Sequence, residues 1–251
     1  MKTSWIWILA LTLSAWSGQR LASQDPAKLD AGRVTSGEFR PDRFGPARWL
    51  DGEHYATLER QRDGVPELVR YEAVSGAREV LVSAAMLRVE SRGRALNIED
   101  YSFSPDQKWL MVFTESARVW RQNTRGEYYL LPLDGSQQPR RLGGDCEKST
   151  LMFAKFSPDS QKVGYVSRND IYVEGVASGD QTRLTDDGSQ AIINGTFDWV
   201  YEEEFDCRDG FRWSPDSSHV AFWQLDCSGV GEFYMVDNLS DRYAQIVPVQ
   251  Y

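Results

Sequence analysis

Histidine and cysteine are scarce. The 251 residues hold two His, His54 and His219, and three Cys, Cys146, Cys207 and Cys227. A structural zinc site needs four closely placed ligands. None of these five residues stands in a C-x-x-C or H-x-x-x-H spacing, so no metal site is expected. The odd cysteine count excludes full disulfide pairing, and Cys207 and Cys227 can pair only if their strands meet. Basic residues are outnumbered, 28 Lys and Arg against 37 Asp and Glu, for a net charge of −9. That balance argues against nucleic acid as a partner, because a phosphate backbone calls for a basic surface. It argues equally against an anionic membrane surface. After the N-terminal leader no stretch of ten or more residues sustains a 3.6-residue apolar period, so long amphipathic helices are not expected.

What is present suits strands. Hydrophobic residues make up 41 % of the chain, enough for a packed core, and nine Trp, eleven Tyr and eleven Phe favour sheet over helix. The leader itself reads Met1-Lys2-Thr3 followed by an apolar run, Trp5 to Trp16. That run is too short for the ~20 residues a membrane span requires. Small residues at Ala15-Trp-Ser17 and Ala22-Ser23 offer cleavage points, so residues 1–23 read as a signal peptide and the protein as exported, periplasmic or extracellular. A buried N-terminal helix and a retained membrane anchor are the alternatives. Asn194-Gly-Thr196 and Asn238-Leu-Ser240 fit the glycosylation pattern, which matters only in a eukaryotic source.

The remainder repeats. An aromatic residue, one or two further residues and an Asp precede an apolar strand four times: Trp49-Leu-Asp51, Phe103-Ser-Pro-Asp106, Phe156-Ser-Pro-Asp159 and Trp213-Ser-Pro-Asp216. The Asp positions are separated by 55, 53 and 57 residues. Pro presets φ at the second turn position, and Asp bonds the neighbouring backbone through its side chain, so each repeat predicts a hairpin. A further strand pair follows in each unit, as in Glu127–Leu133 with Arg140–Leu142, and Asp170–Glu174 with Thr182–Thr185. About four short antiparallel strands per unit is the pattern of β-propeller blades. A β-sandwich does not explain near-equal intervals. The expected fold is therefore all-β, a partial propeller of about four blades with an open ring, the last blade incomplete.

Residues 198–209 stand apart. Six acids, Asp198, Glu202, Glu203, Glu204, Asp206 and Asp209, face one base, Arg208. Consecutive carboxylates repel unless a cation neutralises them. A solvated acidic turn is the plain reading, yet Trp199, Val200, Tyr201 and Phe205 are interleaved with the acids. A partly buried carboxylate pair makes a receptor for an ammonium group.

Asp198-Trp-Val-Tyr-Glu-Glu-Glu204 resembles the double-glutamate motif of the dipeptidyl peptidase IV family of serine exopeptidases. Asn169-Asp-Ile-Tyr-Val173, Arg208-Asp-Gly-Phe-Arg-Trp-Ser-Pro215 and Trp223-Gln-Leu-Asp226 extend the likeness, which covers roughly residues 40–251. The resemblance implies that residues 24–251 are the N-terminal part of a family propeller. It implies that Glu203 and Glu204 clamp the free α-amine of a peptide, with Glu202 a neighbour, and that Arg121, after Trp120, contacts a substrate carbonyl. Substrates would be peptides with a free N-terminus, cleaved to dipeptides after Pro or Ala, with no cofactor; family members are often homodimers. The family's triad lies on an α/β-hydrolase domain, and no Gly-x-Ser-x-Gly occurs in this chain. The expectation is a fragment or a truncated product without the catalytic domain and without catalytic residues of its own. A stand-alone, non-enzymatic propeller that binds peptides or proteins is the alternative. The 251 residues on their own are thus expected to release no nitroaniline from dipeptide nitroanilides. Turnover that survives Glu203→Ala and is indifferent to a serine-directed inhibitor contradicts this reading.

Overall fold

The computed structural model describes residues 28–41, 44–60, 64 and 66–250; the leader expectation for residues 1–23 lies outside them. The chain divides into two compact units, Met1–Arg43 and Phe44–Tyr251. In the first, a short helix α1 (Ala31–Thr35) is capped by Asp30, whose carboxylate accepts from the Arg33 N–H at 2.8 Å. Everything else described here belongs to the second unit.

That unit is an open partial propeller, as expected. Its first sheet runs Ala47–Trp49, His54–Arg60, Pro66–Glu72 and Arg78–Val82 in simple antiparallel order. The second holds Asp100–Phe103, Trp109–Val119, Gln122–Pro132 and Arg140–Arg141. The third holds Leu151–Phe156, Lys162–Ser167, Asp170–Gly175 and Gln181–Arg183. No sheet closes on itself among the described residues.

Two features depart from the repeat. Strands Trp109–Val119 and Gln122–Pro132 are eleven residues each, whereas Asp100–Phe103 covers only Leu110–Phe113. The hairpin therefore overhangs its blade. Its outer part pairs Arg125 and Gly126 with Met152 and Leu151 and so joins the second and third blades in one sheet. The fourth unit is not a four-stranded blade. It breaks into three two-stranded ladders: Phe211–Trp213 with Val220–Phe222, Ile192–Asn194 with Gln224–Asp226, and Glu232–Asp237 with Gln245–Gln250. Apolar side chains on both faces of the last ladder, such as Phe233, Tyr234, Met235 and Val236, are exposed.

Alternation places the cores. A strand sends successive side chains to opposite faces, and both faces of the second blade are covered. Leu110, Val112, Tyr129 and Leu131 pack with Ala56, Leu68 and Val82 of the first blade. Met111, Tyr128 and Leu130 pack with Leu151, Val163 and Tyr165 of the third. The core between third and fourth units is small: Val166, Ile171 and Phe211.

The four repeated turns register the blades. In the Ser-Pro-Asp turns the fourth residue takes positive φ, at Gln107 (57°), Ser160 (63°) and Ser217 (60°). Its N–H donates back to Ser104, Ser157 or Ser214. The serine hydroxyl donates to the Asp carboxylate at 2.6, 2.6 and 2.5 Å. These bonds, reinforced by the N–H two residues further on, hold all three Asp carboxyls below the usual range. Each turn then binds the next. The Asp106 N–H donates to Ser160 Oγ at 3.0 Å, and the Asp159 N–H donates to Ser217 Oγ at 3.0 Å. The acceptor residues Ser160 and Ser217 are buried, and the bonds are part-buried. Removing one acceptor costs a hydrogen bond between blades, and Ser160→Ala is expected to lower unfolding stability by about 1 kcal/mol. A shift of the urea midpoint checks this, with the slope unchanged.

Candidate amine-binding site

The acidic segment is an excursion between two pinned ends. Thr196 and Asp209 form a single antiparallel bridge. The Gly210 N–H donates to the Gly195 carbonyl at 3.0 Å, the Gly195 N–H to the Trp223 carbonyl, and the Trp223 N–H to the Gly210 carbonyl, both at 2.9 Å. Gly195 has φ of +75°, and a Cβ there would meet Ile171 and Val166 at 2.9 Å, so both backbone and packing demand glycine.

Inside the excursion lies helix α2 (Trp199–Phe205). Asp198 is its N-cap, accepting from the Tyr201 N–H at 2.9 Å, and Asp206 closes it with φ of +55°. Aromatic rings support it, with Phe197 stacked on Tyr201 at 5.4 Å and Tyr201 against Phe205 at 5.5 Å. The last turn carries no base. Glu203 and Glu204 fall toward that end, where acids oppose the helix dipole at about 0.3–1 kcal/mol each, so these two do not serve helix stability, whereas Glu202 stands in the first turn.

Three consecutive residues on a helix point in three directions, and the structure treats the glutamates accordingly. Glu202 is buried, and its Oε1 lies 3.5 Å from Arg208 Nε. Neither atom makes a hydrogen bond. Arg208 turns its other nitrogen to Asp206 at 2.6 Å. Glu203 is half-buried and forms an ion pair with Arg121. The approach is charge to charge: Glu203 Oε1 is itself buried and accepts no aligned hydrogen bond. Glu204 is exposed and makes no ion pair among the described residues.

Arg121 reaches Glu203 because of the overhang. It sits with Trp120 in the two-residue turn between Val119 and Gln122, where Trp120 takes φ of +41°. Its side chain is 72 % exposed, so its guanidinium stays open to a ligand while it faces Glu203. Trp120, Arg121, Trp199, Phe233, Met235 and Val249 border a groove of about 470 Å³ beside this pair. The structure thus brings Glu203 and Arg121 together and leaves Glu204 outside their contact.

The residue that sequence reasoning missed is Lys155. It interrupts an apolar strand, Leu151-Met-Phe-Ala-Lys-Phe156, which was the available signal. Its Nζ is paired with the Asp209 carboxylate, lies 2.9 Å from the Phe211 carbonyl, and sits 3.6 Å above the Phe211 ring. The cysteines and the first glycosylation sequence are placed as well. All three cysteines are free thiols, and Cys227 Sγ faces the Asp198 carboxylate at 3.8 Å. Asn194 is fully buried, its amide bonded to Asp187 and Gln224, so the folded chain offers no glycan acceptor there. No group of three or more metal-ligating side chains occurs among the described residues.

Burial pushes the Lys155 amine down to about 8, against the pull of Asp209 and with help from Arg212. The unfolded chain keeps that proton up to ~10.4. Between these values the unfolded state binds more protons, so this group makes stability rise with pH. From pH 8 to 9.5 it is expected to contribute about 1 kcal/mol. Urea unfolding of wild type and Lys155→Met across that window checks it; the pH-dependent difference between them is the signal, and parallel curves refute it.

Comparison with known proteins identifies the family. The family model for the dipeptidyl peptidase IV (DPP IV) N-terminal region matches residues 104–251. Dipeptidyl aminopeptidase B of Saccharomyces cerevisiae is 35 % identical over 164 residues, covering 63 % of this chain and 19 % of the yeast protein. The crystal structure of Porphyromonas gingivalis dipeptidyl peptidase 4 superposes with a TM-score of 0.76 at 29 % identity, covering 89 % of this chain and 31 % of that one. The chain therefore spans less than a third of the length of either relative. With more than half of its residues matched by the family model and its open propeller superposed on a family member, the chain belongs to the dipeptidyl peptidase IV family, in its N-terminal region.

Proposed function

We propose that this chain is the substrate-recognition part of an exported, serine-type dipeptidyl aminopeptidase that releases X-Pro or X-Ala dipeptides from peptides with a free N-terminus. Glu203 and Glu204 hold the α-ammonium group, and Arg121 holds a substrate carbonyl. The nucleophile, base and orienting acid come from residues beyond this stretch.

The observation that carries the reading is the state of Glu203 Oε1. It is buried, accepts no hydrogen bond, and lies against Arg121 with the exposed Glu204 next along the helix. An ammonium group brings three donors and a positive charge. Charge-assisted bonds of this kind are about twice as strong as neutral ones. Arg121 pairs with Glu203 until the amine arrives. The clamp measures length: with the amine fixed, the bond two residues on is the one presented for cleavage. A blocked amine leaves the carboxylates unpaired, and that penalty rejects it.

The test is calorimetric titration of the full 251-residue chain with Ala-Pro-Ala and with its N-acetyl form. The free peptide is expected to bind and the acetylated one to lose at least tenfold in affinity, the equivalent of about 1.4 kcal/mol. Glu203→Gln is expected to erase the preference. Equal affinity for both peptides instead supports a non-enzymatic peptide-binding propeller.

A further inference from the structure

Helix α2 has little to hold it. Of its seven residues only Glu202 is buried, and it adds no side chain to the hydrophobic cores. Its entry and exit are pinned through the backbone, by the Thr196–Asp209 bridge and the hydrogen bonds among Gly195, Gly210 and Trp223. The Asp209 carboxylate, at the exit, is gripped from two sides. Lys155, on the third blade, takes one oxygen, and Arg212, three residues on, takes the other at 2.9 Å. Arg212 stands just past the excursion, on strand Phe211–Trp213 of the fourth unit. Lys155 belongs to strand Leu151–Phe156, whose outer end also pairs with the hairpin that carries Arg121. The Lys155–Asp209 contact is thus a direct charged link between the frame of Arg121 and the loop of Glu203.

We propose that Lys155 is a positioning residue: seated on Asp209, it fixes the exit of the 197–208 excursion against the third blade and so holds Glu203 at Arg121. This rests on the amine-binding reading above. Energetics favour it over a purely structural role. Burial depresses the Lys155 amine, so its charge opposes folding at neutral pH. Buried ion pairs are weak evidence for stability, and conformational specificity is an attested reason for keeping them. Asp209 and Arg212 are the charged groups that face Lys155.

The experiment compares wild type, Lys155→Met, Lys155→Arg and Glu203→Gln in the full 251-residue chain at pH 7. For Lys155→Met the urea midpoint is expected to stay or rise. Amide exchange over residues 199–207 is expected to quicken by about tenfold, and affinity for Ala-Pro-Ala to fall by about tenfold. Lys155→Arg, which keeps a cation on Asp209, is expected to retain most of the affinity. Wild-type exchange and affinity in Lys155→Met overturn the proposal. So does a global loss of stability that speeds all amides together, since that is what a packing residue does. Should Lys155→Met not fold, Lys155→Gln replaces it under the same criteria. Glu203→Gln separates the two ideas: if it leaves peptide binding intact, the amine-binding reading fails and the proposal with it. If it abolishes binding while Lys155→Met keeps it, only the positioning role fails.

Discussion

The bond from one blade's turn to the next blade's serine sets the geometry of everything else. Sheets that meet through apolar faces can slide, because dispersion and hydrophobic contact have no direction. The Asp106 to Ser160 and Asp159 to Ser217 bonds do have direction, and they recur at the same place in successive repeats. They lock the second, third and fourth units at one end. The site residues come from those same three units: Arg121 from the second, Lys155 from the third and Glu203 from the segment leading into the fourth. A slip of one blade would separate groups that must lie within a few ångströms of each other.

Much of the fold was legible because the hairpin signal is local. Ser-Pro-Asp has one comfortable geometry, and the three turns adopt it with the same serine-to-carboxylate bond. The strand pairs after each turn were legible too, since Arg140–Arg141 and Gln181–Arg183 pair where the turn residues direct them. What the sequence hid depends on length and on distant partners. Nothing in Thr114–Arg125 announces that this hairpin outgrows its blade. The fourth unit keeps the turn but has only three-residue strands at Phe211–Trp213 and Val220–Phe222, and a small core beneath them, so it does not gather into one sheet. In the site, the acidic motif was plain, while the differing exposures of Glu202, Glu203 and Glu204 follow from helix geometry that the motif does not display. Lys155 was visible only as a charge in an apolar strand, and its partner lies 54 residues away.

The charges at this site are arranged against stability. Acids close a short helix that carries no basic residue in its last turn. Two glutamates keep buried oxygens without aligned donors, and an arginine beside one of them has a nitrogen in the same condition. In contrast, two buried glutamates elsewhere are well engaged: Glu174 takes Arg140, Tyr165 and the Gly143 N–H, and Glu127 takes Arg141 and the Ser149 N–H. Glu127 and Glu174 are thus hydrogen-bonded, whereas Glu202 and Glu203 each keep a buried oxygen without an aligned donor.

The overhanging hairpin turns the propeller into a measuring instrument. Arg121 rides at the tip of a lever eleven residues long on each arm, and its counterpart stands on a different support. A lever magnifies rotation at its root. A small change in the seam between the second and third blades, such as a trimmed side chain at Leu130 or Val163, reaches Arg121 as a larger displacement than any residue near the root feels. The Arg121–Glu203 contact thereby becomes a gauge of how well the blades are seated.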